Sequence, residues 1–354
     1  MFKFRTEYLR TSIPRCYSEY MPKKAAQQKS GWKSHQSRAK IKKQTKIALI
    51  VLGCLIGILL LATVINFIRT LASPPNSTAV RTYAWDKDFN LNLIVGTKDV
   101  SLITYKPKEK EILVLKIPQE TYIDLPNDFG KWQLRSVYEL GENTNIGGQA
   151  LLKSSLSSFL GLPVDAFSSE NLQDLFRQNF FSGLSDLPKL QTDLTYGTLL
   201  TLKRSFMKVR FDHVKEIDLR DLDVLDRQNL ADGTEVFIAD PIRLDSVMAQ
   251  FSDPSIALEH ASIAIFNATD RPLLAQKAKR LVTNLGGNVI VTQNGPKAPK
   301  SYVEGPDLKT TKRLSQIFDL GCSKDPNCVK IPKEELGLAS LRAQIIVVLG
   351  QDFP

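Results

Sequence analysis

Three polar side chains follow an apolar run and a proline in the part of the sequence best suited to chemistry. In LKIPQETYIDLP, residues 115–126, the apolar run leads into Pro118 and then presents Gln119, Glu120 and Thr121. An amide, a carboxylate and a hydroxyl in a row can line a polar site, but short polar side chains are also common in solvated turns. The stretch alone leaves both interpretations open.

Other catalytic signatures are missing from the sequence. His35, His213 and His260 are far apart, so none of them has the spacing of a metal site or a catalytic triad. The sequence has no phosphate-binding loop, no GxSxG turn and no dinucleotide-binding fingerprint. These patterns therefore give no support to a nucleotide-dependent enzyme or a serine hydrolase.

Strand and helix patterns alternate around the polar stretch. Apolar clusters at 91–95, 100–105 and 111–117 predict three strands. Apolar residues at helical spacing predict a helix that starts at Gly147-Gly148 and ends at Gly161. Similar patterns predict helices within 170–183, 190–209 and 241–251 and strands at 214–219 and 234–239. This interleaving predicts an α/β domain built in layers.

A second, smaller α/β domain follows the break at FSDPS, residues 251–255. Beyond it the sequence predicts a strand, a helix closed by Gly286-Gly287, another strand, a helix at 308–318 and a closing strand. The predicted organisation is a disordered basic tail (1–46), a transmembrane helix (47–68), a linker (69–84), an α/β domain (85–252) and a small α/β domain (256–354).

The positive charge of the chain is confined to its N-terminal tail. Residues 1–46 contain 13 Lys and Arg and two acids, a net charge of +11, whereas the remainder has a net charge of −1. A polycation restricted to one tail does not indicate that the folded part binds nucleic acid. We expect no nucleic-acid partner.

An uncharged apolar segment directly follows this tail. The 19 residues from Ile47 to Ile65 carry no charge, close to the ~20 residues that a helix needs to cross a bilayer. A cleaved signal peptide is the alternative, but it would have a shorter apolar core and a shorter basic region. Lysines before the segment outnumber basic residues after it, which predicts a cytoplasmic N-terminus and extracytoplasmic C-terminal domains in a single-pass cell-membrane protein.

The cysteines agree with this topology. Cys322 and Cys328, in GCSKDPNCVK, are the only two cysteines that follow the apolar segment. The intervening Asp-Pro-Asn turn would bring their sulfur atoms together, and an oxidising compartment would keep them bonded. The sequence therefore predicts a disulfide, since two thiols without further Cys or nearby His are too few ligands for zinc.

Two parts of the sequence resemble the LytR-CpsA-Psr family. Residues 259–353 resemble its C-terminal domain, with Phe266-Asn267-Ala268-Thr269 after a strand, a helix containing LAQKAKRLVTNLGG and the ending VVLGQDF. Residues 90–165 are similar to the start of its catalytic domain, in the segments LNLIVG, LITYKPKEKEILVLKIPQETYIDLP, KWQLRSVYELG and GGQALLKSSLSSFLGLPVD. The resemblance implies a cell-envelope protein with an α/β catalytic-type domain.

The resemblance also implies a chemistry. Active members of the family resemble phosphotransferases that move a glycopolymer from a polyprenyl pyrophosphate onto peptidoglycan, with arginines and aspartate-held Mg²⁺ neutralising the pyrophosphate. By resemblance, Asp99 and Glu120 are the candidate catalytic carboxylates and Mg²⁺ ligands. The candidate groups for the phosphate or the lipid carrier are Lys98, Gln119, Lys131 and Arg135.

The sequence departs from the family pattern at the cations. Where the family has Arg and Asp after Ile117-Pro118, this chain has Gln119 and Glu120, and an amide cannot neutralise a phosphate. Lys98 next to Asp99 offers a point charge without the two-pronged grip of Arg. Arg204, Arg210 and Arg227 are unassigned candidates for the missing cations.

Each candidate has a structural alternative. Asp99, Glu120 and Lys98 could be solvated loop residues, and Lys131 and Arg135 could extend their charged ends into water from a half-buried surface. Trp132 could be a packing anchor or a sugar-stacking platform. Phe176, Phe180 and Phe181 could form core or line an apolar pocket.

These observations predict a membrane-anchored envelope protein with a degenerate catalytic site. It would bind or scaffold a cell-wall glycopolymer or its polyprenyl-phosphate carrier, with peptidoglycan as a further candidate partner. One alternative is an active phosphotransferase that uses Asp99 and Glu120; another is a protein-interaction module of an envelope assembly. The sequence does not determine the oligomeric state.

Overall fold

The computed structural model describes residues 31–71, 73–74, 82–170, 172 and 190–353. The first part of the predicted tail, part of the linker and most of the helix predicted within 170–183 lie outside the described residues, as does the aromatic run Phe176, Phe180 and Phe181. The chain divides into two units, Met1–Ile65 and Asn66–Pro354.

One long helix, α1 (Gly31–Leu71), contains the predicted span. Its segment Ala48–Thr70 is long and apolar enough to cross a membrane, as the sequence predicted. Residues 31–46 are also helical in the structure, whereas the sequence predicted a disordered tail over 1–46. Lys, Arg, Gln and Ala are good helix formers there, and they extend a helix that the apolar segment has already nucleated.

The strands fall into two main sheets and two hairpins. In the described part of the chain they are β1 (Leu91–Val95), β2 (Ser101–Lys106), β3 (Glu111–Lys116), β4 (Tyr122–Leu125), β5 (Gly130–Gln133), β6 (Ala166–Ser168), β7 (Val214–Asp218), β8 (Leu225–Asn229), β9 (Glu235–Ala239), β10 (Ser262–Asn267), β11 (Asn288–Asn294), β12 (Tyr302–Glu304) and β13 (Ile345–Leu349).

The remaining helices are short or of medium length. After α1 the described residues contain α2 (Leu134–Asn143), α3 (Gly148–Leu160), α4 (Tyr196–Phe206), α5 (Pro241–Met248), α6 (Pro254–Ala257), α7 (Leu274–Asn284), α8 (Lys309–Phe318) and α9 (Leu338–Arg342). Helix α5 begins with Pro241 after the cap residue Asp240, whose carboxylate accepts the Ile242 and Arg243 amides. This matches the predicted role of that proline in a first helical turn.

The first domain is a five-stranded sheet with helices on both faces. The strand order is β6-β1-β2-β3-β7. Alternating side chains of β1–β3 enter two separate cores, one against α2, α3 and α5 and the other against α4. Because β2 alone runs antiparallel to its neighbours, β1, β3, β6 and β7 all point the same way.

The second domain is a four-stranded sheet with the order β11-β10-β13-β12. Helices α7 and α8 pack on one face through apolar residues such as Val282 and Leu314. On the other face, Cys322 and Leu336 belong to a core with Phe266 and Tyr302, so the disulfide loop covers this side. The predicted α/β class is confirmed for both sheets, whereas the predicted domain boundaries stay predictions.

The predicted disulfide is present in the structure. Cys322 and Cys328 are bonded, with their Cα atoms 5.3 Å apart. Cys322 is buried in the core beneath the loop, and Lys300 forms an ion pair with Asp325 inside the turn at 2.5 Å. The bond therefore closes a short loop over the second face of the sheet.

Replacing Cys328 by serine should lower the free energy of unfolding by about 2 kcal/mol, because the closed loop is short and the entropy it removes from the unfolded chain is limited. Urea unfolding of the full chain in detergent measures the change. Cys54→Ser is the control, since Cys54 is a free thiol in α1. An unchanged unfolding midpoint for Cys328→Ser would contradict the prediction.

Candidate functional site

The predicted site residues lie at one edge of the first sheet. Strand β1 ends just before Lys98 and Asp99. Strand β3 ends just before Gln119 and Glu120. Because β1, β3, β6 and β7 run parallel, their carboxyl ends meet at the same edge, the usual place for ligand sites in α/β sheets. The fold thus gathers loops that are distant in the sequence.

A tight turn at Gly96 fixes the loop after β1. The Gly96 amide donates to the Ser168 carbonyl of β6 at 2.9 Å. Gly96 has a φ of +88°, and a Cβ atom added there would lie 2.1 Å from the Asp99 carbonyl oxygen. Only glycine fits this turn without movement of the backbone, so the position of Lys98 and Asp99 depends on it.

The three polar residues of the opening stretch have three different environments. The Gln119 side-chain amide donates to the Asp99 carboxylate. The Arg220 guanidinium donates to Glu120 Oε2 at 3.1 Å. Thr121 is fully buried, and its hydroxyl has no hydrogen-bond partner among the described residues. The stretch is therefore a junction between two loops and the core.

Helix α2 supplies the other side of this edge. Its Glu139 forms an ion pair with Lys98, with Nζ and Oε1 3.1 Å apart. The backbone amide of Arg135, in its first turn, donates to the Gln119 carbonyl at 3.1 Å. No ion pair of the Arg135 side chain is found in the part of the chain that the structure describes. Lys98, Asp99, Gln119, Glu120 and Arg135 therefore form one neighbourhood.

Lys131 and Trp132 lie on the hairpin β4–β5, next to α2. Lys131 is opposite Asp124 in the register and is exposed. Trp132 is opposite the buried Ile123, remains 40% exposed and donates its indole N–H to the Phe129 carbonyl at 2.9 Å. The tryptophan is thus anchored locally and leaves part of its ring in solvent. This agrees both with a packing anchor and with a sugar-stacking platform.

The carboxylates fit a magnesium ion poorly. Asp99 already accepts an amide N–H, and Glu120 already accepts a guanidinium N–H. A cation needs several converging oxygen ligands, and no group of three or more Asp, Glu, His or Cys side chains able to hold a metal occurs among the described residues. We therefore derive no catalytic step through Mg²⁺.

The charged pairs at this edge are exposed to solvent. The side chains of Lys98 and Glu139 are 67% and 64% exposed, and those of Arg220 and Glu120 are 51% and 36% exposed. Exposed pairs of this kind contribute at most about 1 kcal/mol each. They can exchange partners readily, but every cation in these pairs faces a competing carboxylate.

Sequence patterns missed Arg220 and Glu139. Arg220 follows β7, and it reaches Glu120 because β7 pairs in parallel with β3. That pairing spans about a hundred residues of sequence and gives no local pattern. Glu139 was detectable in principle, since it lies four residues after Arg135 and therefore on the same face of α2.

The other candidate arginines have different positions. Arg210 forms an ion pair with Asp212 at 3.1 Å, and Arg204 is exposed on α4. Arg227 is opposite Phe237 in the hairpin β8–β9 and pairs with Glu235 at 2.7 Å. The Phe237 amide donates to the Glu120 carbonyl at 3.2 Å, so this hairpin lies beside the candidate site.

The second domain corresponds to a known family. Residues 260–353 match the model of LytR_C, described as LytR cell envelope-related transcriptional attenuator. The second domain is therefore similar to the LytR_C family over these residues. This agrees with the resemblance seen in the segments around Asn267 and in the ending VVLGQDF. No curated protein matches the chain.

Several solved structures are distantly similar to the chain. The crystal structure of B. subtilis TagT is 14% identical, with 51% of this chain and 97% of that chain covered at a TM-score of 0.36. The Listeria innocua protein Lin1025 is 14% identical, with 46% and 96% covered at a TM-score of 0.36. A structure of the LytR-CPS2A-psr family protein YwtF (TagT) contains octaprenyl pyrophosphate; it is 15% identical, with 51% and 97% covered at a TM-score of 0.37. Scores this low support no statement about activity.

Proposed function

We propose that this chain is a membrane-anchored cell-envelope protein that binds or scaffolds a glycopolymer or its polyprenyl-phosphate carrier and does not transfer it. The apolar segment Ala48–Thr70 supports the anchor, and the LytR_C match supports the cell envelope. The lysines that precede the segment support a cytoplasmic N-terminus with the folded part outside.

One observation carries the proposal of a degenerate site. Both candidate carboxylates already accept a hydrogen bond from a side chain of this chain: Asp99 accepts one from Gln119, and Glu120 accepts one from Arg220. Phosphoryl transfer depends on cations that are free to neutralise the phosphate in the transition state. Here Lys98 already forms an ion pair with Glu139, and Arg220 already forms one with Glu120. A diphosphate can still bind at these solvent-exposed ion pairs. Its transfer would require a dedicated set of cations, which the two pairs do not supply.

The test uses the full chain in detergent with a polyprenyl pyrophosphate and Mg²⁺. We expect the lipid to bind and the release of phosphate to stay at the level of Asp99→Ala. Asp124→Ala is the matched control, because Asp124 is an exposed aspartate on the neighbouring hairpin. Phosphate release by the intact chain and by Asp124→Ala, but not by Asp99→Ala, would establish an active phosphotransferase instead.

Binding is measured in the same samples by retention of a labelled lipid. Retention that survives Asp99→Ala and weakens in Arg135→Gln agrees with a carrier-binding role, because Arg135 is the arginine of the neighbourhood without an ion pair in the described part of the chain. Absence of both retention and release would refute the proposal and favour the protein-interaction alternative.

A further inference from the structure

The LytR_C-type domain inserts a buried arginine into the first domain. Arg313 of α8 is 1% exposed, and its Nη2 atom lies 2.8 Å and 2.9 Å from the two carboxylate oxygens of Asp165. Asp165 is also buried, and it immediately precedes β6 of the first sheet. A guanidinium that touches both oxygens of one carboxylate forms a directional contact.

The arginine has further partners around this ion pair. Arg313 Nη1 donates to Gln316 Oε1 at 3.3 Å, and the guanidinium lies 5.6 Å from the centre of the Phe89 ring. Burial alone would lower the pKa of Arg313, but the attraction of Asp165 and Tyr83 raises it above the ordinary value. Arg313 therefore stays charged within the interface and neutralises Asp165.

Asp165 in turn organises the edge of the first sheet. Its carboxylate accepts the Asn92 amide of β1 at 2.9 Å, and the Asn92 side chain donates to the Pro163 carbonyl at 2.9 Å. Lys153 of α3 donates to the Asp165 carbonyl at 2.9 Å. The residue thus joins β1, the start of β6 and α3 at one point.

The same pair of strands leads to the candidate site. Strands β1 and β6 run parallel from Leu93 opposite Ala166 to Val95 opposite Ser168. The Ser168 carbonyl then accepts the Gly96 amide, which begins the loop with Lys98 and Asp99. A disturbance at Asp165 can therefore reach this loop through two adjacent strands.

We propose that Arg313 is a positioning residue for the first domain: by neutralising buried Asp165 it holds β6 against β1 and thereby fixes the loop Gly96–Asp99. The LytR_C-type domain is then a built-in part of the first domain's sheet edge and not a detachable module. Other contacts reinforce the junction, since Arg280 of α7 donates to the Ser158 and Phe159 carbonyls of α3. This inference does not depend on the proposed ligand.

The test measures amide hydrogen exchange of the full chain in detergent. In Arg313→Met, the buried Asp165 loses the guanidinium that balances its charge. Burial already raises the pKa of this carboxyl, so it must either stay charged without a partner or take up a proton, and both are costly. We expect exchange in peptides containing Asn92 and Gly96 to become roughly a hundredfold faster than in the unaltered chain, as β1 and β6 open more often. An arginine that only stabilised its own domain would leave these peptides unchanged.

Two variants make the result specific. Lys312→Met is the matched control, because Lys312 is the neighbouring residue on α8 and its side chain, paired with Asp86 and Asp88, is 48% exposed. It should change the exchange of Asn92 and Gly96 by less than about threefold. Adding Asp165→Asn to Arg313→Met removes the stranded charge and keeps an acceptor for the Asn92 amide, so exchange should slow again.

Two outcomes would overturn the proposal. One is faster exchange in Arg313→Met that is limited to residues 260–353. The other is a double variant that exchanges as fast at Asn92 and Gly96 as Arg313→Met alone. If Arg313→Met fails to fold, the double variant is compared with the unaltered chain, because neither of them contains an unpaired buried charge. The proposal then requires similar exchange at Gly96 in the two proteins, and a large loss of protection in the double variant would refute it.

Discussion

Replacing Gly96 by alanine should lower the free energy of unfolding by about 3 kcal/mol and loosen the loop that carries Lys98 and Asp99. The backbone at Gly96 has a φ of +88°, where an L residue is strained by ~1–2 kcal/mol. The added Cβ would also lie 2.1 Å from the Asp99 carbonyl oxygen, so the turn itself must move. Urea unfolding of the full chain measures the loss.

Gly233 provides the matched control for this prediction. It has a similar φ of +82°, in the turn of the hairpin β8–β9, but a Cβ added there meets no heavy atom within 4 Å. Gly233→Ala should therefore cost only the backbone strain, about 1 kcal/mol. Equal losses for the two variants would show that the contact with Asp99 is unimportant, contrary to our expectation.

Replacing Phe167 by alanine should cost about 3–5 kcal/mol, the usual range for an aromatic side chain removed from a core. Phe167 is fully buried in β6, and its ring stacks on Tyr138 of α2 with the ring centres 5.7 Å apart. The variant would leave a cavity between the sheet and α2, the helix that carries Glu139 and Arg135. Thermal or urea unfolding measures the effect.

Phe159 is the comparison residue for Phe167. It packs against the same core from α3 but is only partly buried. Phe159→Ala should therefore cost less, about 1–2 kcal/mol, because less apolar area is lost and water can fill the gap. A loss as large as that of Phe167→Ala would mean that the core at α3 is tighter than its exposure indicates.

The sequence predicted most of the elements around the site. The apolar clusters at 91–95, 100–105 and 111–117 correspond to β1, β2 and β3 within about one residue. The helix closed by Gly161 is α3, and Gly161 has the left-handed conformation expected at a helix end. These features are local, so the order of residue types is sufficient to identify them.

Long-range pairing explains what the sequence did not reveal. Nothing in the segment around Arg220 indicates that β7 lies beside β3, so the ion pair with Glu120 could not be predicted. The contact between Arg313 and Asp165 likewise joins residues that are 148 positions apart. A basic residue on an amphipathic helix is normally expected at the surface, whereas Arg313 is buried against another domain.

Dissolved ions will affect the two groups of charges differently. The pairs Lys98–Glu139 and Arg220–Glu120 are open to water, so mobile counterions screen them, and at 1 M salt electrostatic interactions decay over only about 3 Å. The Arg313–Asp165 pair is sealed from water and keeps its attraction. A saline medium would therefore loosen the ion pairs at the sheet edge, and weaken the hold of their cations on any phosphate, while the contact between Arg313 and Asp165 stays intact.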